Sequence, residues 1–206
     1  MKLEELIKKR RSIRSYKNKK VSKKLIKEIL KLANLAPTAA SEQNRQFIVV
    51  DNKKIKEEVF KAGCQQEYIS EAPIAIIVTT NMQVWQAKKL LKKNEQWGMD
   101  FWGAKTNNYK NSQKFLKNLS IWKNLWSLQD ADAATTILLL AATAKGLGAC
   151  WLGCFDHQKI SQILKLPPNT KPIALITLGY IKNKPYPQKR KKIEELLYWN
   201  HWKNNK

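Results

Sequence analysis

The stretch DADAATTILLLAATAKGLGACWLG, residues 130–153, is a long run of small and apolar side chains that leads into two closely spaced glycines. Such a run without a polar face predicts a buried helix. Asp130 and Asp132 then lie near its positive N-terminal end, and Gly146 or Gly148 terminates it. Because the glycines follow a helix and precede an apolar run, they do not form the strand–glycine–helix fingerprint of a dinucleotide-binding fold.

Apolar runs of strand length recur along the chain and indicate a buried sheet. The four strand candidates are FIVVD (47–51), IAIIVTT (74–80), ACWLGCF (149–155) and PIALITLGY (172–180). Further helices are predicted at 3–12, 23–36, 53–63 and 157–166. Ser22 is the expected N-cap of the second of these, and Pro37 ends it. Helices and strands alternate irregularly, so the predicted fold class is α+β.

Length and composition indicate one domain, residues 1–206. A chain of 206 residues with 43% hydrophobic content can build one sizeable core but is short for two. No apolar run reaches the ~18 residues of a membrane span. The start MKLEELIKKRR lacks the apolar region of a secretory leader. We therefore expect a cytoplasmic protein with no membrane contact.

The cysteines and histidines predict no metal site. Cys64, Cys150 and Cys154 are an odd number without a CxxC pair, so they indicate neither a disulfide framework nor a zinc site. Each is expected to be a buried, reduced side chain. His157 and His201 lack metal-ligand spacing and are expected to be surface or packing residues.

The net charge of +23 leaves two interpretations open. A strongly basic chain suits an anionic partner such as nucleic acid, a membrane surface or a small anion. Lysine is spread over the whole chain, however, as an overall bias in residue usage would produce. The eight tryptophans keep a basic nucleic-acid-binding domain among the alternatives, although no zinc, helix-turn-helix or RRM signature is present.

Three of the five arginines fall within KKRRSIRSY, residues 8–16, whereas nearly all other positive charge is lysine. Arginine presents a rigid planar fork that binds phosphate bidentately, and lysine is a flexible point charge. Arg10, Arg11 and Arg14, with the hydroxyl of Ser12 between them, therefore suggest an anion that needs directional donors. A solvated basic turn explains the motif equally well.

Three further segments carry groups suited to a polar ligand. The loop before the first strand holds Thr38, Ser41 and Gln43, whose hydroxyl and amide groups can bind a heterocycle or its sugar. The glycines of GLGACWLGCF allow a close backbone approach, because glycine has no Cβ. Arg190 is the only arginine after residue 45. An ordinary polar loop and tight helix–strand packing are the plain alternatives for the first two.

In this order, the segments resemble the nitroreductase family of FMN-dependent oxidoreductases over nearly the whole chain. The resemblance rests on RRSIRSY, APTAASEQ…FIVV, EAPIAIIV, DADAATTILLLAATAKGLGACWLG, ILKLPPNTKPIALITLGY and the KR-K-IEEL tail. It implies an α+β, sandwich-like domain with a central mixed, mostly antiparallel sheet flanked by helices. It also implies an intertwined homodimer with FMN at the interface, a variable lid at 82–128 and a tail, 181–206, that wraps the partner subunit.

The same resemblance implies the FMN-binding positions. They are Arg10, Arg11, Ser12, Arg14, Thr38, Ser41, Gln43, Gln66, Leu147, Gly148, Trp151, Gly153 and Arg190. The first four would hold the phosphate, the ribityl chain and part of the ring. The segment 147–153 would approach the isoalloxazine, and Arg190 would reach back to the phosphate. Gln66 is preferred over Gln65 as the polar residue before the EAP strand.

The chain also departs from the family pattern. Ser41 stands where the family usually has Asn, and Asn44 and Arg45 stand where it usually has Pro-Trp. The tryptophan-rich region 82–128 matches no family pattern. Its aromatic residues would either stack on a flat substrate or pack the dimer, and the candidates are Trp97, Phe101 and Trp102.

The implied activity is a ping-pong hydride transfer from NADH or NADPH through flavin N5 to a small electron acceptor, such as a nitroaromatic or a quinone. Arg10 and Arg14 are candidates to stabilise negative charge on the flavin. No catalytic side chain and no metal are expected, because the chemistry is the cofactor's. A flavin-storage or flavin-sensing protein of the same fold is the alternative, ahead of the nucleic-acid-binding domain.

Overall fold

The computed structural model describes residues 2–86 and 119–202, apart from residues 184 and 187. The helices are α1 (Leu3–Lys9), α2 (Lys23–Ala33), α3 (Lys53–Ala62), α4 (Tyr68–Glu71), α5 (Leu119–Ala144) and α6 (His157–Ile163). The strands are β1 (Arg45–Val50), β2 (Ile74–Asn81), β3 (Gly148–Leu152) and β4 (Thr170–Gly179). All four predicted strands are present, and the α+β class is confirmed.

The strands form one antiparallel sheet in the order β1–β2–β4–β3. At one end of this sheet, Arg45 of β1 and Lys171 of β4 both pair with Thr80 of β2. At the other end, Gly148 of β3 pairs with Gly179 of β4. The two outer strands therefore begin at diagonally opposite corners of the sheet. Among the described residues, one parallel bridge extends this sheet, between Ser12 in the segment before α2 and Ala149 of β3.

Helices cover both faces of the sheet. On one face, α2 and α5 pack over side chains that include Ile76 and Val78 of β2. On the opposite face, α3 and α6 pack over Ile77 of β2 and Leu175 of β4. Alternate residues of a strand point to opposite faces, so a strand covered on both faces is apolar on both. Residues 74–78 of β2 are all apolar, and β2 is buried along nearly its whole length. This is the sandwich-like domain that the resemblance implies.

Polar side chains fix where two of the helices begin. The Ser22 hydroxyl accepts a hydrogen bond from the Leu25 N–H over 3.2 Å, which confirms the predicted N-cap of α2. The Asp156 carboxylate accepts the Lys159 N–H over 3.0 Å at the start of α6. The second cap also fixes the direction in which the chain leaves β3.

The long helix α5 begins earlier than the sequence predicted. It starts at Leu119, so Asp130 and Asp132 lie near its middle and not at its N-terminal end. Trp122 and Trp126, one turn apart, stack with ring centroids separated by 6.1 Å. Contacts at this spacing stabilise helical turns, although the surrounding lysines and asparagines hide any apolar period in the sequence.

The helix ends were predicted better than this start. After α5 ends at Ala144, Gly146 has a φ of +76°, a left-handed conformation that glycine adopts without strain. The helix α2 ends at Ala33, shortly before Pro37. Both stops agree with the breaker residues identified in the sequence.

The cysteine prediction is wrong for two of the three residues. Cys150 is 1% exposed, but Cys64 and Cys154 are both exposed. They lie on the loops that follow α3 and β3, where the apolar pattern of each element has ended. Across 2–86 and 119–202, no group of histidine, cysteine, aspartate and glutamate side chains could hold a metal ion.

Both histidines are exposed, as predicted. His157 Nδ1 lies 2.8 Å from the carbonyl oxygen of Pro172. Within the described part of the chain, no helix has the length and apolar character needed to cross a membrane. Trp97, Phe101 and Trp102, with most of the expected lid at 82–128, fall outside the described residues. Of that region, 119–128 forms the first turns of α5.

Candidate functional site

The segment from Arg10 to Tyr16, which we call the opening segment, is fixed against the start of β3. The Ile13 N–H donates to the Ala149 carbonyl over 3.0 Å, and Ser12 bridges Ala149 in parallel. A Cβ added to Gly148 would lie 2.6 Å from the Ile13 side chain. The close approach at Gly148 is therefore made to the opening segment itself, which explains why glycine is needed there.

A buried tyrosine holds the opening segment from the opposite side. The Tyr16 side chain is 4% exposed, and its hydroxyl donates to the Ile13 carbonyl over 2.6 Å. The same hydroxyl lies 2.7 Å from Thr177 Oγ1 of β4. Burial raises the pKa of Tyr16, so the phenol stays neutral and keeps its proton for these bonds. The backbone that carries the arginines is thus set by the sheet.

The arginine cluster, which we define as Arg10, Arg11 and Arg14, projects from this fixed backbone. Arg10 and Arg11 are half-buried, and Arg14 is exposed, as is Ser12. Arg11 Nη1 donates to the carbonyls of Lys8 and Arg10 over 2.6 and 2.8 Å. Three guanidinium groups are therefore grouped within five positions, with Arg11 already oriented by its own backbone.

A tyrosine that the sequence reasoning missed links this cluster to Gln66. The Arg14 guanidinium lies 5.8 Å from the centre of the Tyr68 ring, within cation–π range. The Tyr68 hydroxyl donates to Gln66 Oε1. Burial raises the pKa of Tyr68, which favours the neutral phenol that can make this bond. The sequence signal for Tyr68 was its place two residues after Gln66, just before the EAP strand.

The positions predicted on β3 differ in what they can offer a ligand. The Leu147 side chain is 1% exposed and belongs to the core, so only its backbone could meet a ligand. Trp151 is half-buried and also packs against the core. Gly153 is exposed, and a Cβ there would meet no atom within 4 Å. The open backbone is therefore at the end of the strand.

The polar loop, residues 38–43, is anchored to helix α5 and not to the start of β3. Its Ala39 N–H donates to Asp130 Oδ1 of α5 over 2.8 Å, and the Gln43 N–H donates to Thr38 Oγ1 over 3.2 Å. The exposed Ser41 and Gln43 have φ values of 51° and 49°. Non-glycine residues rarely adopt this left-handed conformation, so the loop is strained and must be held by its anchors.

Arg45, for which the sequence offered no explanation, anchors the chain just before this loop. It is 6% exposed, and its Nη2 donates to the Ala36 carbonyl over 2.9 Å and to the Asn34 carbonyl. These are carbonyls at and just beyond the end of α2, where a cation is favourable. Burial lowers the pKa of Arg45, and the charge of Asp130 opposes that shift.

Asp130 is the other anchor, and it is 3% exposed. Burial raises the pKa of Asp130 to about 6, and the Ala39 hydrogen bond and the Arg45 charge oppose this shift. Asp130 therefore holds the polar loop directly, and Arg45 holds the chain between α2 and the loop. The aspartate that was expected at a helix start acts as a loop anchor from the middle of α5.

The arginine cluster and the polar loop lie far apart within one chain. The opening segment that carries the cluster contacts the start of β3, at the end of the sheet that holds Gly179 of β4. The loop leads into Arg45 of β1, at the end of the sheet that holds Lys171 of β4. From Lys171 to Gly179 the strand spans about 27 Å, and three strand spacings add about 14 Å across the sheet. A ligand that touched both groups of one chain would bridge opposite corners of its sheet.

The C-terminal segment presents large apolar side chains to solvent. Tyr186, Trp199 and Trp202 are 89%, 78% and 77% exposed. Arg190, the predicted phosphate contact, is also exposed in this segment. Arg190 therefore lies outside the core of the chain.

Comparison with known proteins identifies the fold. The sequence model of the Nitroreductase family matches residues 7–180 of this chain. The chain belongs to the nitroreductase family. Among its relatives, an NADH dehydrogenase from Thermus thermophilus is 28% identical over 191 residues, covering 93% of this chain and 92% of that protein.

Solved structures agree with the nitroreductase fold. A nitroreductase family protein from Streptococcus pneumoniae TIGR4 aligns with a TM-score of 0.78 and 26% identity, over 97% of this chain and all of that one. A protein from Exiguobacterium sibiricum, solved in complex with FMN, aligns with a TM-score of 0.76 at 21% identity, over 97% of this chain and 98% of that one. The resemblance drawn from the sequence motifs is confirmed at the level of family and fold.

The residues present suit a flavin mononucleotide. The arginine cluster provides planar donors for a phosphate, and the two backbone hydrogen bonds of Arg11 both come from Nη1. The open face at Gly153 lets a flat ring approach the backbone without meeting a side chain. The polar loop adds hydroxyl and amide groups at exposed positions. These donor types match the phosphate, ring and ribityl parts of FMN.

Proposed function

We propose that this nitroreductase-family protein is an FMN-dependent NAD(P)H oxidoreductase that acts as an intertwined homodimer. Each of two sites would take its arginine cluster from one subunit and its polar loop from the other. The observation that carries this proposal is the separation of the two groups at opposite corners of one sheet. A second copy, related by two-fold symmetry, can place its loop beside the cluster of the first.

The exposed C-terminal segment supports the dimer. Monomers rarely leave several large aromatic side chains in water on one short segment, yet Trp199 and Trp202 are more than three-quarters exposed here. Helix α1 likewise exposes Leu3 and Ile7 by 66% and 53%. A tail that wraps the partner subunit would cover its own aromatic residues. It would also carry Arg190 toward the phosphate bound at that subunit.

The residues of the chain would bind and orient the cofactor. Arg10 and Arg14 would hold the phosphate or the electron-rich edge of the ring, and Gln66, fixed by Tyr68, would present a directional amide. The backbone at Gly153 would lie against the ring. When bound, FMN supplies the redox chemistry, accepting a hydride from NAD(P)H and passing two electrons to an electrophilic acceptor. The name of the Thermus thermophilus relative supports a nicotinamide donor.

The proposal is tested by flavin content and anaerobic reduction of the full-length protein. We expect a yellow protein whose visible absorbance bleaches with NADH or NADPH and returns with a nitroaromatic or a quinone. A protein that binds FMN but is not bleached by either nucleotide would instead be a flavin-storage or flavin-sensing protein. A colourless protein that takes up no added FMN would overturn both flavin functions.

The phosphate role has its own matched pair of variants. Arg14→Ala should weaken FMN binding by roughly 10- to 100-fold, as expected for one charge-assisted contact. Lys27→Ala removes the same charge from the exposed side of α2 and should leave FMN binding unchanged. Equal FMN affinity in both variants, measured by fluorescence titration, would exclude a direct role for Arg14.

A further inference from the structure

Two exposed cysteines, 90 positions apart in sequence, meet on the surface. Cys64 Sγ and Cys154 Sγ lie 2.9 Å apart, and both thiols are free. A disulfide bond is about 2.05 Å long, so closing one would bring the sulfurs together by roughly 0.9 Å. The third cysteine, Cys150, is 1% exposed and sits in β3 within the core. The chain therefore contains one pair of cysteines on its surface and one buried cysteine, which serves as an internal reference when thiols are counted.

The backbone keeps the two cysteine loops together. The Asp156 N–H donates to the Ala62 carbonyl over 2.8 Å, which ties the loop after β3 to the end of α3. Between the loops, Phe155 is 7% exposed and packs in the same core cluster as Ala62. The hydrogen bond between Asp156 and Ala62 and the packing of Phe155 thus keep the two sulfurs close without a covalent bond.

We propose that Cys64 and Cys154 form a redox-active dithiol that hydroperoxides convert to an intramolecular disulfide. One thiolate attacks the peroxide, the O–O bond breaks, and a sulfenic acid forms with release of water. The other thiol then attacks that sulfur, the S–S bond forms, and a second water leaves. In total, two thiols and one hydrogen peroxide give one disulfide and two waters, so two electrons pass from sulfur to oxygen.

The pH dependence of the reaction follows from the pair itself. The thiolate is the reactive form of cysteine. The hydrogen bond with Cys154 raises the pKa of Cys64, so at neutral pH this thiol is largely protonated. We therefore expect oxidation to accelerate as the pH rises from 7 toward 9.

The disulfide would join two segments that carry proposed FMN contacts. Cys64 lies two residues before Gln66, and Cys154 directly follows Gly153. The bond would fix the separation between the amide of Gln66 and the open backbone at Gly153. This consequence for the site rests on the proposed function, whereas the thiol chemistry does not.

The test treats the reduced, full-length protein with hydrogen peroxide and counts thiols in denaturant. The expected count falls from three to one, the intact chain loses two hydrogen atoms in mass, and dithiothreitol restores both values. Peptide mapping should link Cys64 to Cys154. Three remaining thiols, separate sulfinic or sulfonic acids at both positions, or a link between two chains would each overturn the proposal.

Matched variants keep the test specific. Cys64→Ser and Cys154→Ser should each abolish the intramolecular link, while Cys150→Ala should keep it, with no free thiol left after oxidation. Flavin content is measured on the same samples. A wild-type protein that forms no link but is yellow and is bleached by NAD(P)H overturns the dithiol alone. A reversible link in a colourless protein that takes up no FMN overturns the flavin function alone.

Discussion

The arginine cluster and the polar loop are both polar, but they are built in opposite ways. The cluster offers half-buried and exposed side chains on a backbone that the sheet fixes, through Ile13 and Tyr16. The loop has a strained backbone with left-handed residues, which is held by the buried Asp130 and by the buried Arg45 just before it. A change in the cluster should therefore alter ligand binding, whereas a change beneath the loop should alter folding.

The sharpest test of the comparison asks whether the two regions serve one site in different subunits. Arg14→Glu and Ser41→Asp should each strongly reduce FMN occupancy, because each places a carboxylate where a donor is proposed. Aspartate also tolerates the left-handed φ of Ser41. In a heterodimer of the two variants, one of the two sites combines a normal cluster with a normal loop. Flavin occupancy should therefore recover to about half of the wild-type value.

Differently tagged, co-expressed and tandem-purified chains provide the heterodimer. Each variant homodimer, purified in the same way, is the control. A heterodimer without flavin would show that cluster and loop belong to the same chain, which would contradict the shared site.

The next test compares a buried and an exposed arginine. Arg45→Met removes the donor to the Ala36 carbonyl and leaves the charge of Asp130 without its neighbour, so it should lower the free energy of unfolding by about 2–4 kcal/mol. Arg14→Met, at an exposed position, should change it by less than about 0.5 kcal/mol. Urea titration measures both, and equal losses would remove the distinction between the two regions.

The next expected effect is smaller: through Asp130, the free energy of unfolding should depend on pH. Its pKa is raised to about 6 in the folded chain, above the usual value of about 3.9, so the neutral acid favours folding. This contribution is full below about pH 4 and is lost as the pH rises through 6. Asp130→Asn keeps an oxygen for the Ala39 N–H and cannot ionise. Its stability relative to wild type should rise by roughly 1–3 kcal/mol between pH 4 and 7.

Chemical denaturation at several pH values measures that difference, with Asp51→Asn, at an exposed position outside α5, as the control. A difference between wild type and Asp130→Asn that stays flat from pH 4 to 7 would mean that Asp130 is not a buried, titrating anchor.

The last test compares two glycines, Gly148 at the start of β3 and Gly153 just after its end. Gly148→Ala places a Cβ 2.6 Å from Ile13, so it should cost about 1–3 kcal/mol of stability. Gly153→Ala meets no atom within 4 Å and should be nearly neutral for stability, while it weakens FMN binding. Thermal unfolding and FMN titration of both variants check the pair. Destabilisation by Gly153→Ala would contradict an open face there.

The sequence predicted the strands well because each is an apolar run between clear breakers. It also predicted the family, since several weak motifs occur in the same order and spacing. It could not predict that Asp130 lies inside a helix, because the turns before it are stabilised by Trp122 and Trp126 and show no apolar period. The role of Arg45 depends on carbonyls brought near it by the fold.

The remaining site features depend on contacts between distant segments. Tyr68 belongs to the site because it contacts Arg14 and Gln66. Cys64 contacts Cys154, which is 90 positions away in sequence. Residue type and local spacing contain no information on such pairs. Single-sequence reasoning therefore identified which segments matter but not which partners they find.

The exposed Trp199 and Trp202 of the C-terminal segment have a consequence for stability. They can make the stability of the fold depend on protein concentration. If a second subunit covers them, their burial stabilises only the associated state, and the melting temperature should increase with protein concentration. Dilution would then lower the thermal resistance of the protein before it altered any bond within one chain. The amount of this protein in a cell would set its stability as well as its activity.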